Sequence, residues 1–146
     1  MKYHFKIYKE KTGFWAECVE LEGCRSQGNT RDELLKNLSE ALELFLAEPS
    51  DSSALFSLPR SRKPKGRDIV AIGVDPHVAF AFLLRQTRLR SHLSIREAAK
   101  KLHLTHHAAY QNLENARKAN PELSTLAKLK EAFPNFPFEL VFDKAS

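Results

Sequence analysis

A chain of 146 residues, 42% apolar and 28% charged, is long enough for one or two small domains with cores of their own and too polar for a membrane protein. Its longest apolar run, 78–84, is far short of a bilayer span, and its opening residues alternate like a strand rather than forming a signal sequence, so the expected compartment is the cytoplasm. Residues 1–52 hold seven Lys or Arg against ten Asp or Glu, and 53–146 hold sixteen against eight, so the net +5 belongs to the second part and points it toward phosphate-bearing partners.

In chain order, Tyr3, Phe5 and Ile7 alternate with His4, Lys6 and Tyr8, which predicts a strand with one buried face. Lys11-Thr12-Gly13 makes a turn. A second strand over 14–19 returns antiparallel, with Trp15, Glu17 and Val19 on one face and Phe14, Ala16 and Cys18 on the other. Cys18 and Cys24 read as small apolar residues in a reduced compartment rather than as a disulfide. A turn over 20–24 leads to a short third strand at 25–28. Thr30 and Glu33 then have the spacing of a capping box. Leu34, Leu35, Leu38, Ala41, Leu42, Phe45 and Leu46 form the apolar stripe of the helix that follows, while Arg31, Asp32, Lys36, Asn37, Glu40 and Glu43 face water.

Residues 48–67 contain Pro49, Pro59, Pro64, Gly66 and the basic run Arg60-Ser61-Arg62-Lys63-Pro64-Lys65, and have no period. They predict an exposed connection or a partner-binding arm, in which the basic run could touch phosphate but reads first as a mobile, solvated loop. The unbroken apolar run 69–74, between Asp68 and Asp75, predicts a strand buried on both faces inside the sheet. Asp75-Pro76 caps a helix over 77–90, which either closes the sheet domain or opens the next one. The expected division is a domain at 1–90 and another at 91–146.

Ser94 and Glu97 repeat the capping-box pattern, and Ile95, Ala98, Ala99 and Leu102 fall at i, i+3, i+4 and i+7 of a short helix. After a turn at His103 and Leu104, Thr105 is the expected N-cap of a second helix over 106–116. Asn120-Pro121 ends that helix, and Leu123, Leu126, Leu129 and Phe133 form the stripe of a third. Two short helices around a tight turn, braced by a third, make the helix-turn-helix arrangement that reads DNA. Beyond it, Phe136, Phe138, Leu140 and Phe142 alternate with Pro137, Glu139, Val141 and Asp143, which predicts a terminal strand. Such a strand needs a neighbour, and a second copy could supply one across a homodimer contact made by those four residues.

The opening residues, especially GFWAECVELEGCRSQGNT and the helix DELLKNLSEALELFL, resemble the N-terminal domain of HicB-type antitoxins. AAKKL followed by AYQNLENARKANPELSTL resembles the helix-turn-helix that many of these antitoxins carry. The resemblance implies an α+β chain: a partial ribonuclease-H-like sheet domain of about four strands with helices, joined to an all-α helix-turn-helix domain with a terminal strand. It also implies a protein that binds and occludes a small basic mRNA-cleaving HicA-type toxin and represses its own operon. Trp15, Glu20, Glu22, Asp32, Glu40 and Glu43 are the candidate toxin contacts.

Between AAKKL and AYQ this chain has HLTHHA, with one residue more than the family pattern and no glycine. Two registers of the recognition helix follow. With Ala109, Leu113 and Ala116 inward, His107, Gln111, Glu114 and Lys118 point outward; with Tyr110 and Leu113 inward, His107, Ala108, Gln111 and Asn112 do. His107 and Gln111 are outward in both and are the candidates for base contact, with Asn112 beside them. Thr105 and His106 at the helix start, and Arg117 and Lys118 after it, are candidates for phosphate contact. Tyr110 reads as core.

No enzyme is expected: the first strand, 2–8, carries no acid, and two strand-associated carboxylates, Glu17 and Asp75, do not make a two-metal nuclease site. His103, His106 and His107 have no second ligand cluster, so neither metal nor cofactor is expected. A second function stays open, a ligand-responsive repressor with the same DNA-binding half and no toxin partner.

Overall fold

The computed structural model describes residues 1–47 and 52–143; residues 48–51, including Pro49 of the expected connection, and 144–146 lie outside the described residues. The fold is α+β, with a four-stranded antiparallel sheet and six helices among the described residues. No helix among the described residues is long and apolar enough to cross a membrane.

The chain divides into two compact units. The first comprises 1–46, 56–75 and 142–146, and the second 47–55 and 76–141.

In the first unit, β1 (Lys2–Glu10) pairs with β2 (Gly13–Cys18) through a hairpin that sets Glu10 opposite Gly13. Gly13 has φ +97°, and a Cβ there would lie 2.6 Å from the Gly28 carbonyl oxygen, so both the turn and the close approach require glycine. β3 (Arg25–Gly28) flanks β2, and β4 (Ile69–Gly73) flanks β1, giving the order β3-β2-β1-β4. Register places Phe5 opposite Cys18 and Ile7 opposite Ala16 on the buried face. Helix α1 (Arg31–Leu46) closes that face with Leu34, Leu38, Leu42 and Leu46. Thr30 caps the helix by accepting from the Glu33 N–H at 3.1 Å, while the Glu33 carboxylate accepts from the Asn29 N–H rather than completing the box on Thr30.

β4 corrects the expectation of an interior strand. It lies at the sheet edge with β1 as its one strand neighbour, and of its five residues only Ile72 is buried. An apolar run reports low polarity, not the number of strand neighbours. The segment before it is also not the free loop its composition suggests. The Tyr3 hydroxyl donates to the Ser57 carbonyl at 2.8 Å, the Arg60 N–H to the Glu20 carboxylate at 3.0 Å, and the Ile7 N–H to the Asp68 carbonyl at 2.8 Å. Phe45 and Phe56 meet edge to face at 5.3 Å. Residues 56–68 are therefore a strap fastened to the sheet by backbone groups, which leave no trace in hydropathy.

The second unit contains α2 (Pro76–Arg90), α3 (Ile95–Lys101), α4 (His107–Leu113), α5 (Leu123–Ala132) and α6 (Phe138–Phe142), whose last residue counts with the first unit. Helix α2 thus belongs with the helices that follow it, and the division falls at Pro76, earlier than residue 90. It is buried along most of its length, from Ala79 to Gln86, and the Gln86 amide donates to the Ala54 carbonyl at 3.1 Å.

The expected C-terminal strand is instead α6. Pro137 fixes its own φ in the helical range, and the Leu140 N–H bonds the Pro137 carbonyl at 3.1 Å, so the chain turns where a strand would run straight. Phe136 is buried in its own unit against Phe80 and Phe138, at 5.8 and 4.7 Å between ring centres. It is not free to meet a partner strand. Val141 is buried while Phe142 is 68% exposed, the reverse of the alternating assignment.

Candidate nucleic-acid interface

Helix α3 starts as its sequence requires. Ser94 Oγ accepts from the Glu97 N–H at 3.1 Å, and the Ser94 N–H donates to the Glu97 carboxylate at 2.8 Å. Ala98, Ala99 and Leu102 are buried, and Arg96, Lys100 and Lys101 are exposed.

The turn that lacks glycine is made by His103 at φ +54°. The Leu104 N–H bonds the Ala99 carbonyl at 3.0 Å and the His103 N–H bonds the Lys100 carbonyl at 3.0 Å, the bond pattern of a Schellman motif with His103 at its left-handed position. Helix α2 ends the same way. His92 has φ +56°, the Leu93 N–H reaches the Arg88 carbonyl at 3.2 Å and the His92 N–H the Leu89 carbonyl at 3.0 Å. Histidine tolerates this region better than most residues with a Cβ, though not as freely as glycine.

Helix α4 begins one residue later than expected: His106 is its N-cap, without a side-chain cap bond, and Thr105 is not. The inward face settles the register. Tyr110 is fully buried, Leu113 is half-buried and Glu114 at the C-cap is 3% exposed, whereas Ala109 is exposed, so the alternative with Ala109 inward and Glu114 outward is excluded. His107, Ala108, Gln111 and Asn112 form the exposed side, with Thr105 and His106 exposed ahead of them. Arg117 and Lys118 are exposed in the turn after α4, where the Asn115 side chain accepts from the Arg117 N–H at 3.0 Å. The structure therefore brings all seven candidate DNA-contact residues to the surface of one continuous segment.

Behind that segment lies a group missed in the sequence. Arg88 of α2 donates through Nε and Nη2 to the two carboxylate oxygens of Glu114, at 2.7 and 2.9 Å, and through Nη1 to the Leu93 carbonyl at 3.1 Å. The pair is buried. Hydrogen bonding to Glu114 holds the Arg88 guanidinium above its usual pKa, and burial, with the Glu114 charge beside it, pushes the Tyr110 phenol up. One ion pair thus ties α2 to the end of the recognition helix and to the entry of α3. No local pattern joins positions 26 apart, and Arg88 stood in the sequence among surface-looking arginines. Leu123, expected in the buried stripe of α5, is 85% exposed; Leu129 and Phe133 are the buried residues.

The candidates on the sheet unit are more dispersed. Trp15 stacks on Tyr8 across β1 and β2, with ring centres 4.3 Å apart, on the face away from the core. Glu22, Asp32 and Glu40 are exposed, and Glu43 is half-buried, accepting from the Asp75 N–H at 3.2 Å. Glu20 does not belong with them: its side chain is 2% exposed and holds the His4 N–H and Nδ1, at 2.9 and 3.0 Å, as well as the strap. Cys18 and Cys24 are buried free thiols. No group of three or more His, Cys, Asp or Glu able to hold a metal ion is found among the described residues.

Residues 84–139 match the helix-turn-helix family, from the second half of α2 into α6. The chain carries a DNA-binding regulatory domain of that class, which is not an enzyme domain. A UPF0150 protein of Synechocystis sp. is 40% identical over 47 residues, 30% of this chain and 60% of that protein. A UPF0150 protein of Helicobacter pylori is 39% identical over 56 residues, 38% of this chain and 78% of that protein. The chain belongs to the UPF0150 family.

Proposed function

We propose that this protein is a HicB-type antitoxin that represses its own operon: it binds and covers a small basic mRNA-cleaving toxin and reads operator DNA as a homodimer. The observation that carries this reading is the union, in one chain, of UPF0150 membership, a family related to HicB antitoxins, with a helix-turn-helix domain. In this reading His107 and Gln111 contact base edges, Gln111 being able to bond adenine in bidentate fashion, with Asn112 beside them. Thr105, His106, Arg117 and Lys118 contact phosphates and set the register. Trp15 on the open sheet face and the acids Glu22, Asp32, Glu40 and Glu43 meet the toxin, whose inhibition needs only occlusion of its active site.

The test is co-expression with the product of the adjacent small gene, size exclusion of the mixture, and an RNA-cleavage assay of that product with and without this chain. A stable complex with suppressed cleavage is the expected outcome. DNA binding without any complex would instead leave a repressor whose sheet unit answers to another ligand.

A further inference from the structure

The sheet unit carries a charge feature that toxin binding does not use. Over 1–46 it is nearly balanced, seven Lys or Arg against eight Asp or Glu. The strap then adds Arg60, Arg62, Lys63, Lys65 and Arg67, all exposed, with Asp68 the one acid in 56–68. None of these five side chains is engaged in an ion pair or hydrogen bond among the described residues. Their backbone, by contrast, is held at both ends: the Arg60 N–H on the buried Glu20 carboxylate and the Asp68 carbonyl on the Ile7 N–H of β1. Pro59 and Pro64 restrict the chain further. A fastened backbone bearing unneutralised cations loses less conformational entropy on meeting a polyanion than a free tail of the same composition.

We infer that the strap is a second nucleic-acid contact, a sequence-independent clamp on the phosphates of duplex DNA. The inference rests on the DNA-binding reading, because the helix-turn-helix of the same chain tethers the strap to a duplex and raises its effective concentration there. Phosphate contacts of this kind add affinity and salt dependence but no base preference.

The experiment compares the full chain with an R62A/K63A/K65A variant and with a K9A/K11A control on the exposed β1–β2 hairpin, each titrated against operator and scrambled duplexes over a range of salt. The strap variant is expected to lose roughly 10- to 100-fold in affinity at low salt on both duplexes and to flatten the slope of log K against log salt by about 2 to 3, near 0.9 per lost phosphate contact. Its melting temperature should match wild type, since the replaced side chains are exposed and make no ion pair or hydrogen bond among the described residues. The control should change the slope by less than about 1. Unchanged slopes for the strap variant, or equal losses in the control, overturn the clamp. So does a loss that appears in parallel titrations with single-stranded RNA or phosphatidylserine vesicles and on neither duplex. A wild-type chain that binds no duplex removes the helix-turn-helix reading and the clamp together, whereas a chain that binds while the strap variant is unaffected removes the clamp alone.

Discussion

Glu114→Ala tests whether the Arg88–Glu114 pair organises the helix-turn-helix. The substitution leaves the Arg88 guanidinium, 7% exposed, without the carboxylate that accepts two of its hydrogen bonds, while its bond to the Leu93 carbonyl stays. Removing one partner of a buried pair costs about 3–5 kcal/mol, because the remaining charge is desolvated and uncompensated. At about 4 °C per kcal/mol for a unit of this size, thermal melting followed by circular dichroism should fall by at least about 12 °C. Glu114→Gln keeps one acceptor and should fall less. The decisive comparison is R88M/E114L, in which both charges are replaced by apolar groups of similar bulk. If burial of an orphaned charge is the cause, this double variant recovers most of the stability lost in Glu114→Ala. A Glu114→Ala loss below about 1 kcal/mol, or a double variant as unstable as the single one, would refute the reasoning.

On DNA, Gln111→Ala should lower operator affinity more than affinity for a scrambled duplex, while Lys118→Ala should weaken both and flatten the salt slope by about 1; equal losses in Gln111→Ala would remove it from base readout. His103→Gly should stabilise the protein by about 0.5–1 kcal/mol in urea denaturation, since relief of the left-handed strain at φ +54° outweighs the added freedom of the unfolded chain. Burial pushes the Cys18 thiol up to about 12 and the Cys24 thiol up to about 11 from the usual 9.0. The folded state therefore holds these protons more tightly than the unfolded chain. Their contribution is complete below pH 9 and is lost as pH rises through the folded values, so stability should fall between pH 9 and 12 with a slope that C18A/C24A reduces.

Periodic elements were legible in the sequence because their pattern is the cause of their burial. Tyr3, Phe5 and Ile7, Leu34, Leu38, Leu42 and Leu46 of α1, and Ala98, Ala99 and Leu102 are all inside, and Ser94 with Glu97 forms the capping box their spacing implies. Elements decided by distant contacts were not legible. The seven residues 136–142 alternate, but alternation that short does not separate a strand from a helical turn, and Pro137 together with the packing of Phe136 on Phe80 decides it. Glu20 reads as a surface acid in a turn; its side chain is buried because His4, 16 residues away in sequence, and the strap both bond its carboxylate. Glycine was expected in the turn before α4, and its absence left the register open. His103 fills the left-handed position, and buried Tyr110 fixes which side of the helix faces out.

If the chain binds both a toxin and an operator, the two are linked: whatever factor the toxin contributes to operator affinity, the operator contributes to toxin affinity. The charge layout of the sheet unit gives that coupling a direction. Glu22, Asp32, Glu40 and Glu43, the acids proposed to meet a basic toxin, also repel phosphate when bare, and they share the unit with the five cations of the strap. A basic toxin seated on them would neutralise the opposing charge and leave the strap facing DNA in a more positive field. On the proposed reading, toxin binding would then strengthen the phosphate component of operator affinity. The base preference proposed for His107 and Gln111 would be left alone, so the coupling belongs in the salt-dependent part of the affinity rather than in the choice of sequence.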